Sequence, residues 1–349
     1  MKALRWHGRG DVRLDDVKAP QLITSDDVII EVEATGICGT DQEEARHGPV
    51  SIPTSSPHPL TGFRAPITLG HEIVGRVIAA GPEAGVAVGT RVTPTPVIWC
   101  GKCNQCLAGA ISRCEVLAVT GLSADGGMTD FVRVHAYQCL PVPEGIAAAT
   151  AALVEPYAVA VHALDGVDVS GLLVSVVGFG SVGSCIADVV LSRGADAVIA
   201  IDPDPWSRQR AIDGGAAAAL EPDQARSMRA SLVIEASGAE RGLATALLAA
   251  ESGGAIVVVG LRGGEVPIPL PTLVFGELTI RARVGHDVEA MKQSVAGIAS
   301  GSFGTRFHEI DVVDLETARS YILDQTSDRR GKKIVFSPRA EPTFRKPRR

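Results

Sequence analysis

Val174-Ser175-Val176-Val177-Gly178-Phe179-Gly180-Ser181-Val182-Gly183 decides the fold of the middle of this chain. It is an apolar run leading into G-x-G-x-x-G, with a helix expected from about Ser184. A second apolar run, Ala197 to Ile201, ends at Asp202, nineteen residues beyond Gly183. Strand, glycine turn, helix and second strand with an acidic end are the context that a dinucleotide requires. Gly178 permits the tight turn, Gly180 lets the backbone approach a pyrophosphate, and Gly183 lets helix and strand pack closely. Phe179, Ser181 and Val182 bring backbone N–H groups to the positive end of the helix, where negative charge is favoured. Asp202 is expected to accept hydrogen bonds from ribose hydroxyls and to repel a 2′-phosphate, which favours NAD. Arg208 and Arg210 nearby keep NADP open. A ligand-free glycine turn in an unrelated α/β protein is the competing reading, and the surrounding pattern speaks against it.

Outward from this stretch the same alternation continues. Leu232-Val233-Ile234 and Ala255 to Val259 are further apolar runs with Ala-rich stretches between them. Continuous apolar strands separated by helices imply a parallel sheet covered on both faces, so residues 157–290 read as a Rossmann NAD-binding domain. Before it, residues 1–156 are β-rich, with short β-branched runs such as Val28 to Val32 and Gly75 to Ile78 punctuated by Gly and Pro. After it, residues 291–338 read as a helix–strand return to the first domain, and 339–349 as a basic, solvated tail. Two domains suit 349 residues. The 46% apolar share builds cores from Val, Ala, Leu and Ile, since aromatics reach only 4%.

A net charge of −7 and a pI near 5.7 argue against nucleic acid or anionic membrane as partner. No run approaches the roughly 18 apolar residues of a membrane span. The first residues lack the apolar core of a signal peptide, and a cytoplasmic location is expected. Seven cysteines fit that compartment if they bind metal or lie buried.

Cys100, Cys103 and Cys106 follow C-x2-C-x2-C spacing, and Cys114 comes eight positions after Cys106. Four thiolates close the shell of one tetrahedral zinc and staple the lobe 97–116. An iron–sulfur cluster is the competing metal. Cys139 and Cys185 sit in apolar patterns and read as small core residues. A second set of donors is scattered: Cys38 in Gly36-Ile37-Cys38-Gly39-Thr40-Asp41, His71 and Glu72 after Gly70, and Glu155 in Val154-Glu155-Pro156. Cys, His and carboxylate are the ligand types of an open zinc site, but no spacing rule assembles them.

Those motifs, with Gly126-Gly127, the four-cysteine lobe and the glycine turn, resemble the medium-chain zinc alcohol dehydrogenases along the whole chain. The resemblance implies a GroES-like catalytic domain, a Rossmann domain and a cleft between them. It implies that Cys38, His71 and Glu155 hold a catalytic zinc. Glu72 would be either a direct ligand or a neighbouring carboxylate that exchanges with water, and Asp41 would hydrogen-bond to His71 or its neighbours. Thr40 would relay a proton from the substrate hydroxyl. Val259, Gly260 and Leu261 would line the nicotinamide pocket. A small alcohol or ketone is the implied substrate, and a homodimer or homotetramer the implied assembly.

Gly48 to Pro53, His58 to Gly62 and Ala65 to His71 resemble the (R,R)-butanediol and sorbitol dehydrogenase branch more narrowly. The insert between Cys38 and His71 is expected either to line a substrate pocket or to form a surface loop or subunit contact, with His58 structural. The chain departs from that branch at Glu43, where a His usually ends the proton relay, at Thr90, where Asp is usual, and around Val284-Gly285-His286-Asp287. The expectation is zinc-dependent hydride transfer between NAD(H) and a vicinal diol or polyol. A specialised biosynthetic alcohol, a zinc-free enone or quinone reductase, and a catalytically silent NAD-binding sensor are the rivals.

Overall fold

Leu173–Val177 has parallel partners on both sides, Ala197–Ile201 and Ala230–Glu235, so its apolar side chains face protein on either face of the sheet. The computed structural model describes residues 1–261, 265–324 and 332–340. By packing, the chain divides into two units: Met1–Glu155 with Asp287–Val295 and Ile310–Arg349, and Pro156–His286 with Ala296–Glu309.

The second unit is built on six parallel strands in the order Ala218–Leu220, Ala197–Ile201, Leu173–Val177, Ala230–Glu235, Ala250–Val258, Thr279–Ala282. Chain order reverses beside Leu173–Val177, which is the doubly wound Rossmann arrangement. Val177, Ile199, Ile201, Val233, Leu247 and Ile256 pack one core of this unit. The two outermost strands were not expected. Ala218–Leu220 is only three residues of weak β-formers, and Thr279–Ala282 alternates polar and apolar residues as an edge strand does.

The helix after the glycine turn runs Ser181–Ser192, three residues earlier than expected. Gly180 is its extended N-cap, so Gly183 lies inside the first turn rather than before the helix. The next helix, Pro205–Asp213, starts where it does because Asp204 accepts the N–H groups of Trp206 and Ser207 and Pro205 fills the first helical position. Buried Asp188 gathers three donors: Tyr157 Oη at 2.7 Å, Gly304 N at 2.9 Å and Arg306 Nε at 3.1 Å.

The first unit is β-rich. Its long strand Asp27–Gly36 pairs antiparallel with Glu72–Ala80 and Phe131–His135, and with the late strand Lys333–Phe336. That last pairing returns the end of the chain to the first unit. Ile310–Val313 lies parallel to Lys333–Phe336, with helix Leu315–Leu323 between them in sequence. Leu4, Trp6, Ile67, Leu69, Met128 and Phe336 form one core, and Val28, Ile30, Val32, Val77 and Val92 another. Of the expected return segment and tail, residues 325–331 and 341–349 lie outside the described residues.

Candidate active site and metal centres

Register brings the scattered donors together. Gly36 pairs with Glu72 across adjacent strands, and the chain then turns so that Cys38 becomes the N-cap of helix Gly39–His47. His71 immediately precedes the strand that Glu72 begins, so Glu72 is a strand residue and not a loop residue. The ligand atoms of Cys38, His71 and Glu72 all lie within 4.8 Å of one another. That spacing lets one ion reach all three at bonds of about 2.0–2.3 Å. A side chain at Gly36 would put its Cβ 1.8 Å from Glu72 Oε2, so only glycine leaves room for the carboxylate there.

Asp41 is fully buried and braces both donor segments. It accepts the Cys38 N–H at 2.9 Å and the Gly70 N–H at 3.3 Å. Of the two partners expected, His71 or its neighbours, the neighbour Gly70 takes the carboxylate, while His71 Nδ1 stands 3.8 Å from Asp41 Oδ1. Among the described residues, buried His71 Nδ1 has no hydrogen-bond partner. Asp41 is consumed by backbone N–H groups because it sits at the third position of the helix that Cys38 caps.

The electrostatics fit a cation. Burial works to lower the His71 pKa, but Cys38, Asp41 and Glu155 outweigh it and hold it well above the ordinary value. Burial raises the Glu72 pKa, Lys333 opposes this, and Glu155 adds to it. The Lys333 ammonium is a positive charge set against these carboxylates, and a divalent ion held by Cys38, His71 and Glu72 would add another. Glu155, also buried, belongs to the first turn of helix Val154–Ala163 and acts on the cluster through its charge; it is not among the three mutually close donors. Thr40 Oγ1 is 3.6 Å from Cys38 Sγ. Glu43 is exposed on its helix, between buried Gln42 and Glu44.

Lys333 is the participant that sequence reading missed. Its Nζ donates to Glu72 Oε1 at 2.7 Å and to the Ile37 carbonyl at 3.1 Å. A lysine 261 positions from its partner gives no local signal; only the strand pairing of Lys333–Phe336 locates it.

The four lobe cysteines also converge within 4.8 Å, and all are free thiols. Strands Val97–Ile98 and Ala118–Val119 pair at the base of the lobe. Backbone N–H groups point at the sulfurs: Cys103 N to Cys100 Sγ and Cys100 N to Cys114 Sγ, both at 3.4 Å. N–H groups of Glu115 and Cys106 draw the Cys103 thiol down to about 6, while desolvation pushes Cys106 up to about 12. A third group, Asp26, Asp27 and His135, is equally close. There Asp27 already accepts from Ile23, Thr24 and Arg133, so it serves as a brace for the strand ends.

His58 is used structurally, its Nε2 3.1 Å from the Leu117 carbonyl and its Nδ1 accepting the Leu60 N–H at 3.2 Å. In the second unit, a Cβ on Gly183 would lie 1.9 Å from the Gly178 carbonyl, and Gly178 has φ +86°. A Cβ on Gly180 would meet nothing within 4 Å, so the space over the turn is open for a ligand. Asp202 Oδ2 accepts the Phe179 N–H at 2.6 Å and Oδ1 accepts the Asp204 N–H at 2.8 Å. Each oxygen keeps lone-pair capacity for a ribose hydroxyl. Val259 N and Gly260 N both donate to the Glu235 carbonyl, and Leu261 is exposed.

The alcohol dehydrogenase GroES-like domain family matches residues 24–144, and the zinc-binding dehydrogenase family matches residues 181–300. An uncharacterized zinc-type alcohol dehydrogenase-like protein of Haemophilus influenzae is 32% identical over 83% of this chain and 86% of its own length. The (R,R)-butanediol dehydrogenase of Bacillus subtilis is 29% identical over 82% and 85%. A protein of Sinorhizobium meliloti described as a zinc-binding dehydrogenase, solved bound to NADP, superposes with a TM-score of 0.86 at 28% identity over 97% of this chain and 99% of its own. No helix among the described residues is long and apolar enough to cross a membrane. The chain belongs to the zinc-dependent medium-chain alcohol dehydrogenases.

Proposed function

We propose that this enzyme transfers a hydride between NAD(H) and a small secondary alcohol or ketone, either a vicinal diol of the 2,3-butanediol/acetoin type or a polyol. The observation that carries the reading is the meeting of Cys38, His71 and Glu72 within 4.8 Å around an anionic, buried centre. Zinc bound there supplies Lewis acidity that lowers the pKa of the substrate hydroxyl, and the nicotinamide carries the hydride. Cys38 and His71 would hold the ion together with a carboxylate, from Glu72, which lies within reach of both, or from Glu155. Glu72 is retained there by Lys333. Thr40, next to Cys38, takes the hydroxyl proton, and exposed Glu43 is the group through which it leaves to solvent. Cys100, Cys103, Cys106 and Cys114 hold a second, structural zinc.

In the second unit the turn Gly178 to Gly183 receives the pyrophosphate, Asp202 the adenosine ribose, and Val259 to Leu261 the nicotinamide. Asp202 supports NAD over NADP; the Sinorhizobium protein, solved with NADP, makes both dinucleotides part of the test. The similarity to a butanediol dehydrogenase supports a diol. Exposed Leu270, Val274 and Phe275, followed by the edge strand Thr279–Ala282, support a homodimer or homotetramer closed through that edge. Seven free thiols support a cytoplasmic location. The deciding experiment is a screen of diols, polyols and cyclic secondary alcohols for NAD and NADP reduction, with zinc content measured. Two zincs per chain with chelator-sensitive oxidation of a diol is the expected result; full activity in metal-free protein rejects the reading.

A further inference from the structure

Phe179, the middle residue of Gly178-Phe179-Gly180, is held on every side. Its N–H donates to Asp202 Oδ2 at 2.6 Å. Its carbonyl accepts from Ser184 Oγ at 3.3 Å and from Arg210 Nη2. Its ring is fully buried and meets Phe307 edge-on, with centroids 5.3 Å apart. Arg210 arrives from helix Pro205–Asp213 with its guanidinium carbon 5.9 Å from the Phe179 ring centroid. Nη2 also reaches Ser184 Oγ at 3.3 Å. One side chain therefore ties together the glycine turn, the first turns of helix Ser181–Ser192 and the helix that follows the second strand.

Arg208 and Arg210 follow Asp202 closely enough to be readers of a 2′-phosphate by sequence. Both are turned to other work. Arg208 Nη1 donates to the carbonyls of Asp202 and Pro203 at 2.8 and 2.9 Å, and Nη2 to Glu221 at 2.7 Å. Arg210 is spent on Phe179 and Ser184.

We propose that Arg210 is a positioning residue for the pyrophosphate turn, setting the affinity for NADH and NADPH in common and leaving the choice between them to Asp202. The proposal rests on the dinucleotide reading of this turn. With its carbonyl pinned by Arg210 and its N–H by Asp202, the Phe179 peptide groups are fixed, and so is the direction in which the N–H groups at the helix start point. Those N–H groups are what meets a diphosphate. A turn that must order itself on binding loses affinity for any ligand that uses it, whatever stands at the adenosine 2′ position.

The test uses the full-length, zinc-loaded protein and its R210M and R210K variants. Kd for NADH and for NADPH is read by fluorescence titration well below the thermal midpoint, which is recorded on the same samples. R210M is expected to raise both Kd values about tenfold, the scale of one charge-assisted hydrogen bond, with their ratio kept within about twofold. R210K, which keeps the charge but not the planar fork, falls between. A lowered thermal midpoint with both Kd values unchanged marks a merely structural residue and overturns the proposal. Selective loss of NADPH also overturns it, because Arg210 would then be reading the 2′-phosphate. If R210M does not fold, R210K decides by the same two criteria. A wild-type chain that binds neither dinucleotide overturns the dinucleotide reading and this proposal with it. Wild-type binding matched by R210M overturns this proposal alone.

Discussion

The Lys333 ammonium lies 2.7 Å from Glu72 Oε1, and both side chains are almost completely buried, at 2% and 1% exposure. An ion pair this deep is costly to break from one side, because the remaining charge is left without water. K333M should therefore destabilise the protein by about 3–5 kcal/mol in urea unfolding. E72Q combined with K333M should recover most of that loss, since the stranded carboxylate is gone. The loss from K333M should also be larger in chelated protein than in zinc-loaded protein, where a cation can compensate Glu72. Additive single and double variants would show that the pair is not coupled.

Cys38 is the donor through which the cluster touches Thr40, and its N–H is pinned by Asp41. C38S keeps the size and the N-cap but removes the soft thiolate that zinc prefers. Zinc content should fall from two to one per chain by metal analysis, and turnover should be lost. NADH binding, measured by fluorescence, should stay near the wild-type value. Retained turnover in C38S would end the zinc mechanism.

The strands Leu173–Val177 and Ala197–Ile201 coincide with apolar runs read from the sequence, because strands buried on both faces need apolar residues throughout. The lobe cysteines are equally plain, since close spacing lets local chain geometry gather them. Cys38, His71 and Glu72 are different. Their meeting depends on Gly36 pairing with Glu72, a long-range register that no local pattern carries. Lys333 comes from still farther away. The helix start was misplaced because the glycine spacing marks where phosphate binds, whereas the N-cap is set by Gly180 adopting an extended conformation. Asp41 is legible as a brace at His71 or its neighbours, and the bond it makes there is to the neighbour Gly70. Only the fold shows that two backbone N–H groups claim it.

In the cysteine lobe, Cys103 caps the short helix Asn104–Leu107 and its N–H points at Cys100 Sγ. With so little apolar burial in the helix, an ion held by the four cysteines would supply the order. C103S should lose one zinc per chain while keeping the other, and lower the thermal midpoint by several degrees, about 2–4 °C for each kcal/mol lost in a chain this size. Limited proteolysis should cut first within residues 97–116. An unchanged cleavage pattern would remove the stapling role.

Asp27 offers a test by pH. Burial works to raise its pKa, yet the N–H groups of Thr24 and Ile23 and the Arg133 guanidinium overcome it and hold the carboxyl below its ordinary value. A carboxyl with a depressed folded pKa stabilises the fold above its unfolded pKa of about 3.9, and this is lost as pH falls through the folded value. D27N should therefore be less stable than wild type at neutral pH, and the gap should close on acidification. A gap that stays constant through the acid limb would mean that the charge of Asp27 contributes nothing.

Asp202 stands where the adenosine ribose is expected, with each oxygen already holding one backbone N–H. D202G would remove the acceptor for ribose hydroxyls and the negative charge that repels a 2′-phosphate. Kd for NADH should rise about tenfold, the loss expected for a hydrogen bond to a charged group, while Kd for NADPH falls. The same substitution also frees the Phe179 N–H, so part of the NADH loss comes from a looser turn. Restoring a carboxylate with D202E separates the two effects: a longer side chain can recover ribose binding without reproducing the 2.6 Å bond to Phe179 N. If the NADH to NADPH preference is the same in wild type and D202G, Asp202 serves only to hold the turn and the cofactor choice is made elsewhere.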